Sequence, residues 1–98
     1  MAEQLTPKKP YFIRAMFDWI SDNNYTPYIL VDSSVENVCV PKEFIENDRI
    51  TLNISYSASS NLEINSNSIS FDARFNGKSL NVNIPCEAVI NIFAKETG

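Results

Sequence analysis

Residues 6–23 read TPKKPYFIRAMFDWISDN, and this is the segment of the chain in which apolar residues recur with a helical period. Thr6 is the expected N-cap, and Pro7 would occupy the first helical position, where a missing N–H costs little. Pro10 falls in the first turn, where proline is tolerated. The helix should end before Pro27, because a residue that precedes proline disfavours helical backbone. The sequence therefore predicts an α-helix over about residues 6–23.

Two apolar stripes run along this predicted helix, at the i, i+3, i+4 and i+7 spacing of a helix face. The first contains Phe12, Ala15, Met16 and Trp19, and the second contains Ile13, Phe17 and Ile20. So wide an apolar surface favours two partners, the chain's own core and a second copy of the chain, although both stripes packing into one core is the alternative. The pattern does not decide which stripe would form the dimer. The interface that we expect comprises Tyr11, Phe12, Ala15, Met16 and Trp19.

After the helix the apolar period changes from 3.6 to 2, which is typical of strands. The clearest signal is Asn76-Gly77, because a type I′ hairpin turn needs positive φ at both central residues. We expect a short strand over residues 38–40, a polar connection over residues 42–48 and a Ser-rich loop over residues 55–61. The other predicted strands lie near residues 27–32, 50–54, 62–64, 69–75, 80–84 and 89–94.

One helix followed by about six or seven short strands predicts a mainly β (α+β) fold. The expected architecture is a small Sm-like β-barrel or a two-sheet sandwich over about residues 27–95. With 98 residues and neither a linker nor an internal repeat, the chain is expected to form one domain over residues 1–98.

The composition argues against several classes of function. A net charge of −4 disfavours a nucleic-acid surface, which needs clustered Lys and Arg. The chain has no histidine, and its two glycines form no phosphate-binding loop. The carboxylates of Glu43, Glu46 and Asp48 lie on a polar connection, where solvation is the default for an acidic cluster. We therefore expect no catalysis, no metal ion and no cofactor.

Cys39 and Cys86 are far apart in sequence and form no C-x-x-C motif. Because the N-terminus carries no secretory signal, buried and reduced thiols are expected, with an interstrand disulfide as the alternative. No apolar run approaches the length of a membrane span. The chain is expected to be soluble and cytoplasmic.

What remains is a binding module, and two features could form its surface. Ala73 lies between Phe71 and Phe75 on one face of a predicted strand, so a notch opens there unless core side chains fill it. Residues 55–60 are mostly serine and alanine, which allow another backbone to approach closely. Together the two features suit an extended peptide.

The order and spacing of many short motifs resemble the stringent starvation protein B (SspB) family of bacterial adaptors for the ClpXP protease. The likeness runs without obvious gaps from about residue 5 to residue 98. The matching pieces are Leu5-Thr6-Pro7-Lys8-Lys9-Pro10-Tyr11, Arg14-Ala15, Asp18-Trp19, Asp22-Asn23, Thr26-Pro27-Tyr28, Val31-Asp32, Val40-Pro41, Leu52-Asn53, Ser57-Ala58, Asn61-Leu62, Ala73-Arg74-Phe75 and Ile84-Pro85.

The resemblance implies an Sm-like barrel with an N-terminal helix through which the protein dimerises. It also implies a cleft that binds ssrA-type degradation tags, which transfer-messenger RNA adds to the products of stalled ribosomes, and delivery of the tagged polypeptides to ClpX. Transferred by motif, the expected peptide-binding residues are Phe44, Ile45, Ser57, Ala58, Phe71, Asp72, Ala73 and Arg74.

Two departures from the family pattern modify this expectation. The family usually has Asn where Asp72 stands, and a negative charge beside an acidic tag should weaken binding unless Arg74 offsets it or the tag differs. Family members also continue as a flexible tail that docks on ClpX, and this sequence does not include one, either because it is a trimmed domain or because the natural protein has lost the tail. In both cases we expect this chain to bind tags but deliver them poorly. The alternative function is a small dimeric Sm-like RNA-binding protein, or a partner of the ribosome, which the charge does not support.

Overall fold

The computed structural model describes residues 7–98. Within them the chain forms one α-helix, six strands and two short 3-10 helices. The helix α1 spans Lys9–Asp22, and the strands are β1 (Pro27–Asp32), β2 (Arg49–Asn53), β3 (Ser59–Ile64), β4 (Ser68–Phe75), β5 (Lys78–Pro85) and β6 (Val89–Ala94). The 3-10 helices span Lys42–Phe44 and Cys86–Ala88. The mainly β, α+β class predicted from the sequence is confirmed.

The helix begins later than predicted. Lys8 is the N-cap, and the first helical hydrogen bond runs from the Phe12 N–H to the Lys8 carbonyl at 2.9 Å. A helix capped by Thr6 would need an N–H at position 10 to donate to the Thr6 carbonyl, and Pro10 has none. The predicted N-cap itself lies outside the described residues.

The C-terminal end of α1 is a Schellman motif. Asn24 takes a left-handed conformation with φ of 62°, the Tyr25 N–H donates to the Ile20 carbonyl at 3.0 Å, and the Asn24 N–H donates to the Ser21 carbonyl at 3.0 Å. These bonds satisfy carbonyls that the helix leaves free, and asparagine is among the residues that tolerate this backbone. The chain then enters β1 at Pro27.

The strands form two antiparallel three-stranded sheets within residues 7–98. The first sheet has the order β2-β1-β6 and the second has the order β3-β4-β5. Of the two predicted architectures, the two-sheet arrangement is therefore the one observed, and the described strands do not close into a barrel. Each sheet keeps its own hydrogen-bonded ladder, and the apolar faces of the two sheets contribute to one core.

The predicted hairpin between β4 and β5 is confirmed. Asn76 and Gly77 have φ of 53° and 80°, and Phe75 pairs with Lys78 directly before and after the turn. A second turn of this kind was missed in the predicted polar connection. Asn47 and Asp48 also have positive φ, while Glu46 and Arg49 exchange both backbone hydrogen bonds.

Two predicted segments differ from the structure. Residues 38–40 form no strand, because only Cys39 pairs, as an isolated bridge to Asn83 at the outer edge of β5. Residues 59–61, predicted as part of a loop, belong to β3 and pair with β4. These residues are Ser-Ser-Asn, so this end of the edge strand β3 lacks the alternation of apolar and polar residues by which strands are predicted.

The helix packs its second stripe on the core and leaves the first stripe outside. Its buried residues are Pro10, Ile13, Phe17 and Ile20. They lie against strands of both sheets, since α1 contacts β1 and β6 as well as β3. The Arg14 guanidinium also donates a hydrogen bond to the Ile64 carbonyl at the end of β3.

The two cysteines are free, so no disulfide joins them. Cys86 is buried as predicted, and burial raises the pKa of its thiol. Cys39 is exposed, contrary to the prediction, because its segment crosses the outer edge of β5 rather than entering the core.

Candidate functional site

A groove with a volume of about 490 Å³ lies on the solvent side of the second sheet. We call it the β4 groove. It is lined by Ser57, Ala58, Ser59, Ser60, Asp72, Ala73, Arg74 and Ser79. The sequence predicted five of these as peptide-binding residues, namely Ser57, Ala58, Asp72, Ala73 and Arg74, and the fold brings all five together.

Strand register explains how the groove is assembled. Asp72 is paired with Ser60 of β3 and Asn81 of β5, while Arg74 is paired with Ser79. Because side chains alternate along a strand, Asp72 and Arg74 share one face of β4. The groove therefore holds one acidic and one basic side chain, spaced two residues apart, and its other lining residues are serine or alanine.

The Asp72 carboxylate is fixed by two amides from neighbouring strands. The Asn61 Nδ2 donates to one carboxylate oxygen at 2.9 Å, and the Asn81 Nδ2 donates to the other at 3.0 Å. These hydrogen bonds hold the pKa of Asp72 below its ordinary value of 3.8, and the bond from Asn61 has the larger effect. The carboxylate is accordingly charged at neutral pH.

Asn61 reaches Asp72 because β3 is irregular at this point. The register of β3 against β4 shifts between Ser60 and Glu63, and Asn61 has a left-handed φ of 56°. A bulge of this kind re-aims a side chain that would otherwise follow the strand's alternation.

Arg74 is exposed and follows Asp72 on the same face of the strand. The hydrogen bonds to the Asp72 carboxylate come from the amides of Asn61 and Asn81 rather than from Arg74. The Arg74 guanidinium thus faces the groove as a cation whose hydrogen-bond donors are available to a ligand.

The turn that precedes β3 places Ala58 at the rim of the groove. The N–H groups of Ala58 and Ser59 both donate to the Ser55 carbonyl, at 3.1 and 3.0 Å. Tyr56 of this turn packs edge-on against Phe17 of α1, with ring centroids 5.1 Å apart. The helix thereby helps to hold the turn in position.

The remaining predicted peptide contacts lie in other places. Phe71 is 1% exposed, because it is on the inner face of β4 where the core fills the notch beside Ala73. Phe44 is 41% exposed and stacks at a tilt on Phe75, with ring centroids 5.4 Å apart. Ile45 is half-buried against the core. Phe44 and Ile45 are therefore outside the β4 groove. Phe44 nevertheless lies near it, because it contacts Phe75, the residue that follows Arg74 in β4.

Ser59 and Ser60 line the groove as part of the predicted Ser-rich segment, although they were not among the predicted peptide contacts. Sequence reasoning missed Ser79, Asn61 and Asn81 altogether. Two of them had a usable signal, since a two-residue turn at Asn76-Gly77 fixes the register of β5 against β4. Counting outward from that turn pairs Arg74 with Ser79 and Asp72 with Asn81. Asn61 had no such signal, because a bulge is not visible in the alternation of β3.

A second surface is the exposed stripe of α1. Tyr11 is 63% exposed, Phe12 58% and Trp19 62%, while Ala15 is also exposed and Met16 is half-buried. These are the five residues predicted for the dimer interface, and together they form an apolar strip on the side of the helix that faces away from the core.

Residues 7–98 contain neither a cluster of metal ligands nor a membrane-spanning helix. Within residues 7–98, no group of three acidic or cysteine side chains is arranged to hold a metal ion. In the same part of the chain, no helix is both long enough and apolar enough to cross a lipid bilayer.

Comparison with known proteins gives two findings. The family model described as stringent starvation protein B matches residues 7–98. The stringent starvation protein B homolog of Haemophilus influenzae is 43% identical over 98 residues, which is 100% of this chain and 65% of that relative. The chain thus spans about two-thirds of the length of this curated relative. Since the family model covers nearly the whole chain, the chain belongs to the stringent starvation protein B family.

Proposed function

We propose that the chain binds ssrA-type degradation tags in the β4 groove and that it serves as an adaptor for the ClpXP protease. The observation that carries the proposal is the groove itself, which combines a floor of small side chains with an accessible arginine. Its volume of about 490 Å³ is in the range of ligand pockets, ~300–1,000 Å³. Membership of the stringent starvation protein B family supports the same function.

Small lining residues suit an extended peptide because they let its backbone approach the sheet. Ser57, Ala58, Ser60 and Ser79 carry short side chains, and the serine hydroxyls can both donate and accept hydrogen bonds. The peptide backbone would then supply much of the affinity, and the side-chain pockets would supply the specificity.

Apolar residues beside the groove extend the proposed binding surface. Phe44, stacked on Phe75, and the neighbouring Ile45 offer an apolar contact to a peptide that continues past Arg74. Phe71 would contribute from below, by holding β4 against the core rather than by touching the peptide.

Delivery to the protease would depend on assembly. We propose a homodimer formed through the exposed stripe of α1, so that two grooves act together and raise the effective concentration of a tagged cargo. ClpX is the proposed partner, in line with the family.

An RNA-binding function has no comparable support. The charged residues that line the groove are one aspartate and one arginine, whereas a single-stranded RNA surface combines a cationic groove with stacking aromatics. The peptide is therefore the favoured ligand.

The test is fluorescence anisotropy of a labelled peptide that carries the host's own ssrA tag, titrated with the wild-type protein and with Ala58→Val. We expect saturable binding by the wild-type protein. Binding by the variant should be about tenfold weaker, since two added methyl groups would occupy space at the rim of the groove. Ala58 is exposed, so the variant should unfold at nearly the same denaturant concentration as the wild type.

Asn91→Val is the matched control, because Asn91 is an exposed strand position in the first sheet. It should bind the tag like the wild-type protein. If Ala58→Val binds as tightly as Asn91→Val, the tag lies elsewhere. If no protein binds the tag, the adaptor function itself is wrong.

A further inference from the structure

The β4 groove contains a negative charge that its surroundings preserve rather than neutralise. Asp72 receives one hydrogen bond on each carboxylate oxygen, at 2.9 and 3.0 Å, and both come from neutral asparagine amides. The cation nearest to it along β4 is Arg74, which lies two residues further along the same face and also lines the groove. A ligand in the groove thus meets an anion and a cation separately.

The orientation of this carboxylate is fixed from both sides. Asn61 and Asn81 belong to the two strands that flank β4, so Asp72 cannot rotate away from an incoming charge without losing both bonds. Each carboxylate oxygen has a second lone pair, which remains able to accept a hydrogen bond from a ligand. The carboxylate can therefore accept from a peptide group, and it repels a peptide carboxylate.

We infer that the β4 groove discriminates peptides by charge, disfavouring an acidic side chain next to Asp72 and accepting a neutral hydrogen-bond donor or a lysine there. The inference deepens the proposed function and depends on it, because it assumes that the peptide lies in this groove. Along β4, Asp72 and Arg74 are about 7 Å apart, twice the rise of one strand residue. An acidic peptide side chain should therefore bind well near Arg74. The same side chain placed one or two residues along the peptide, beside Asp72, should weaken binding.

The size of the effect follows from exposure. Asp72 is only partly buried, so water and salt screen its field. Two like charges about 4 Å apart under such screening repel enough to weaken binding about fivefold. The discrimination should diminish as the salt concentration rises.

The test is a scan of the tag peptide in which each position is replaced in turn by Gln and by Glu. Each pair of peptides is titrated by anisotropy with the wild-type protein and with Asp72→Asn. Asparagine has the shape of aspartate, and the flanking amides can turn their oxygens toward it, so the fold should persist. Glu63→Gln removes the same charge from an exposed position of β3 outside the groove and is the matched control.

We expect one peptide position at which Glu binds about fivefold more weakly than Gln to the wild-type protein and to Glu63→Gln. In Asp72→Asn this Glu–Gln ratio should fall to about one, whatever the absolute affinity of the variant for the Gln peptide. If the parent tag binds but the Glu–Gln affinity ratio is the same in the wild type and in Asp72→Asn at every peptide position, the charge discrimination is overturned and the adaptor function stands. A parent tag that none of the three proteins binds would overturn both.

Discussion

At the scale of single residues, Asp72 links the stability of the fold to the chemistry of the groove. Its carboxylate joins β3 and β5 across β4 through the amides of Asn61 and Asn81. Because both amides donate to the charged form, folding favours the ionised carboxylate and lowers its pKa. The residue that carries the negative charge of the groove thus also links the three strands of its sheet.

This link predicts a pH dependence of stability. The folded-state pKa of Asp72 is below the ordinary value of 3.8 that the unfolded chain should show. The stabilisation is therefore complete well above pH 3.8 and is lost as the pH falls through the lower, folded-state pKa. Urea unfolding of the wild type and of Asp72→Asn, repeated at decreasing pH, should show a stability difference that shrinks in acid.

Comparing these two proteins isolates Asp72 from other acid-sensitive groups. The carboxyls of Asp32 and Glu96 also have lowered pKa values, through hydrogen bonds from Ser34 and Thr26 respectively, but they are present in both proteins. A stability difference that stays constant or grows as the pH falls would show that the amides do not favour the charged carboxylate.

Residue-level patterns predicted part of the β4 groove. The small residues of 55–60 identified one wall of it, whereas Asp72, Ala73 and Arg74 were assigned through the family resemblance. The alternation of 71–75 instead suggested a notch beside Ala73 on the face that the structure turns toward the core. The same alternation left open whether Phe71 meets a ligand or the core. Only the packing of both sheets decides this, and it buries Phe71 completely.

At the scale of elements, α1 has two apolar faces in different environments. Phe17 is 3% exposed and packs in the core, whereas Phe12 is 58% exposed on the other stripe. The sequence predicted both stripes but not their assignment, since either spacing suits a helix face. The structure decides which stripe is buried, because the Tyr56 ring and both sheets contact the helix on the side that carries Phe17.

Two substitutions of the same residue type should therefore separate the faces. Phe17→Ala should lower the free energy of unfolding by about 3–5 kcal/mol, because it leaves a cavity in the core. Phe12→Ala should change the stability of the monomer by less than about 0.5 kcal/mol, since it removes an exposed side chain. Chemical denaturation at two protein concentrations measures both.

The concentration series serves as the internal control. If the Phe12 stripe forms a dimer, the effect of Phe12→Ala should grow with protein concentration, whereas that of Phe17→Ala should not. Equal destabilisation by both variants at low concentration would contradict the assignment of the two faces.

At the scale of the whole molecule, the sequence predicted the class but left the architecture open between a barrel and two sheets. The number of strands and the alternation of apolar residues are similar in a barrel and in a two-sheet arrangement. The two differ in whether the edge strands of the sheets pair with each other. Here residues 38–40, which would be needed to extend the second sheet, contribute a single bridge to β5. Pro41, which follows directly, lacks the N–H that a longer ladder would require.

Self-association is the property of the whole molecule that α1 should control. Tyr11, Phe12 and Trp19 expose large aromatic surfaces on one side of the helix, and Ala15 lies among them. In a two-fold symmetric dimer the same patch meets itself, so a charge placed at Ala15 would lie close to its own copy or be buried without a partner. Ala15→Glu should therefore convert a dimer into a monomer.

Sedimentation velocity over a range of concentrations measures this change. Asn91→Glu adds the same charge at an exposed position on β6, and it should sediment like the wild-type protein. If the monomeric Ala15→Glu still binds a single tag peptide with wild-type affinity, each groove acts alone, and the dimer would matter only for cargo that carries two tags. A dimer that persists in Ala15→Glu would exclude this helix face as the interface.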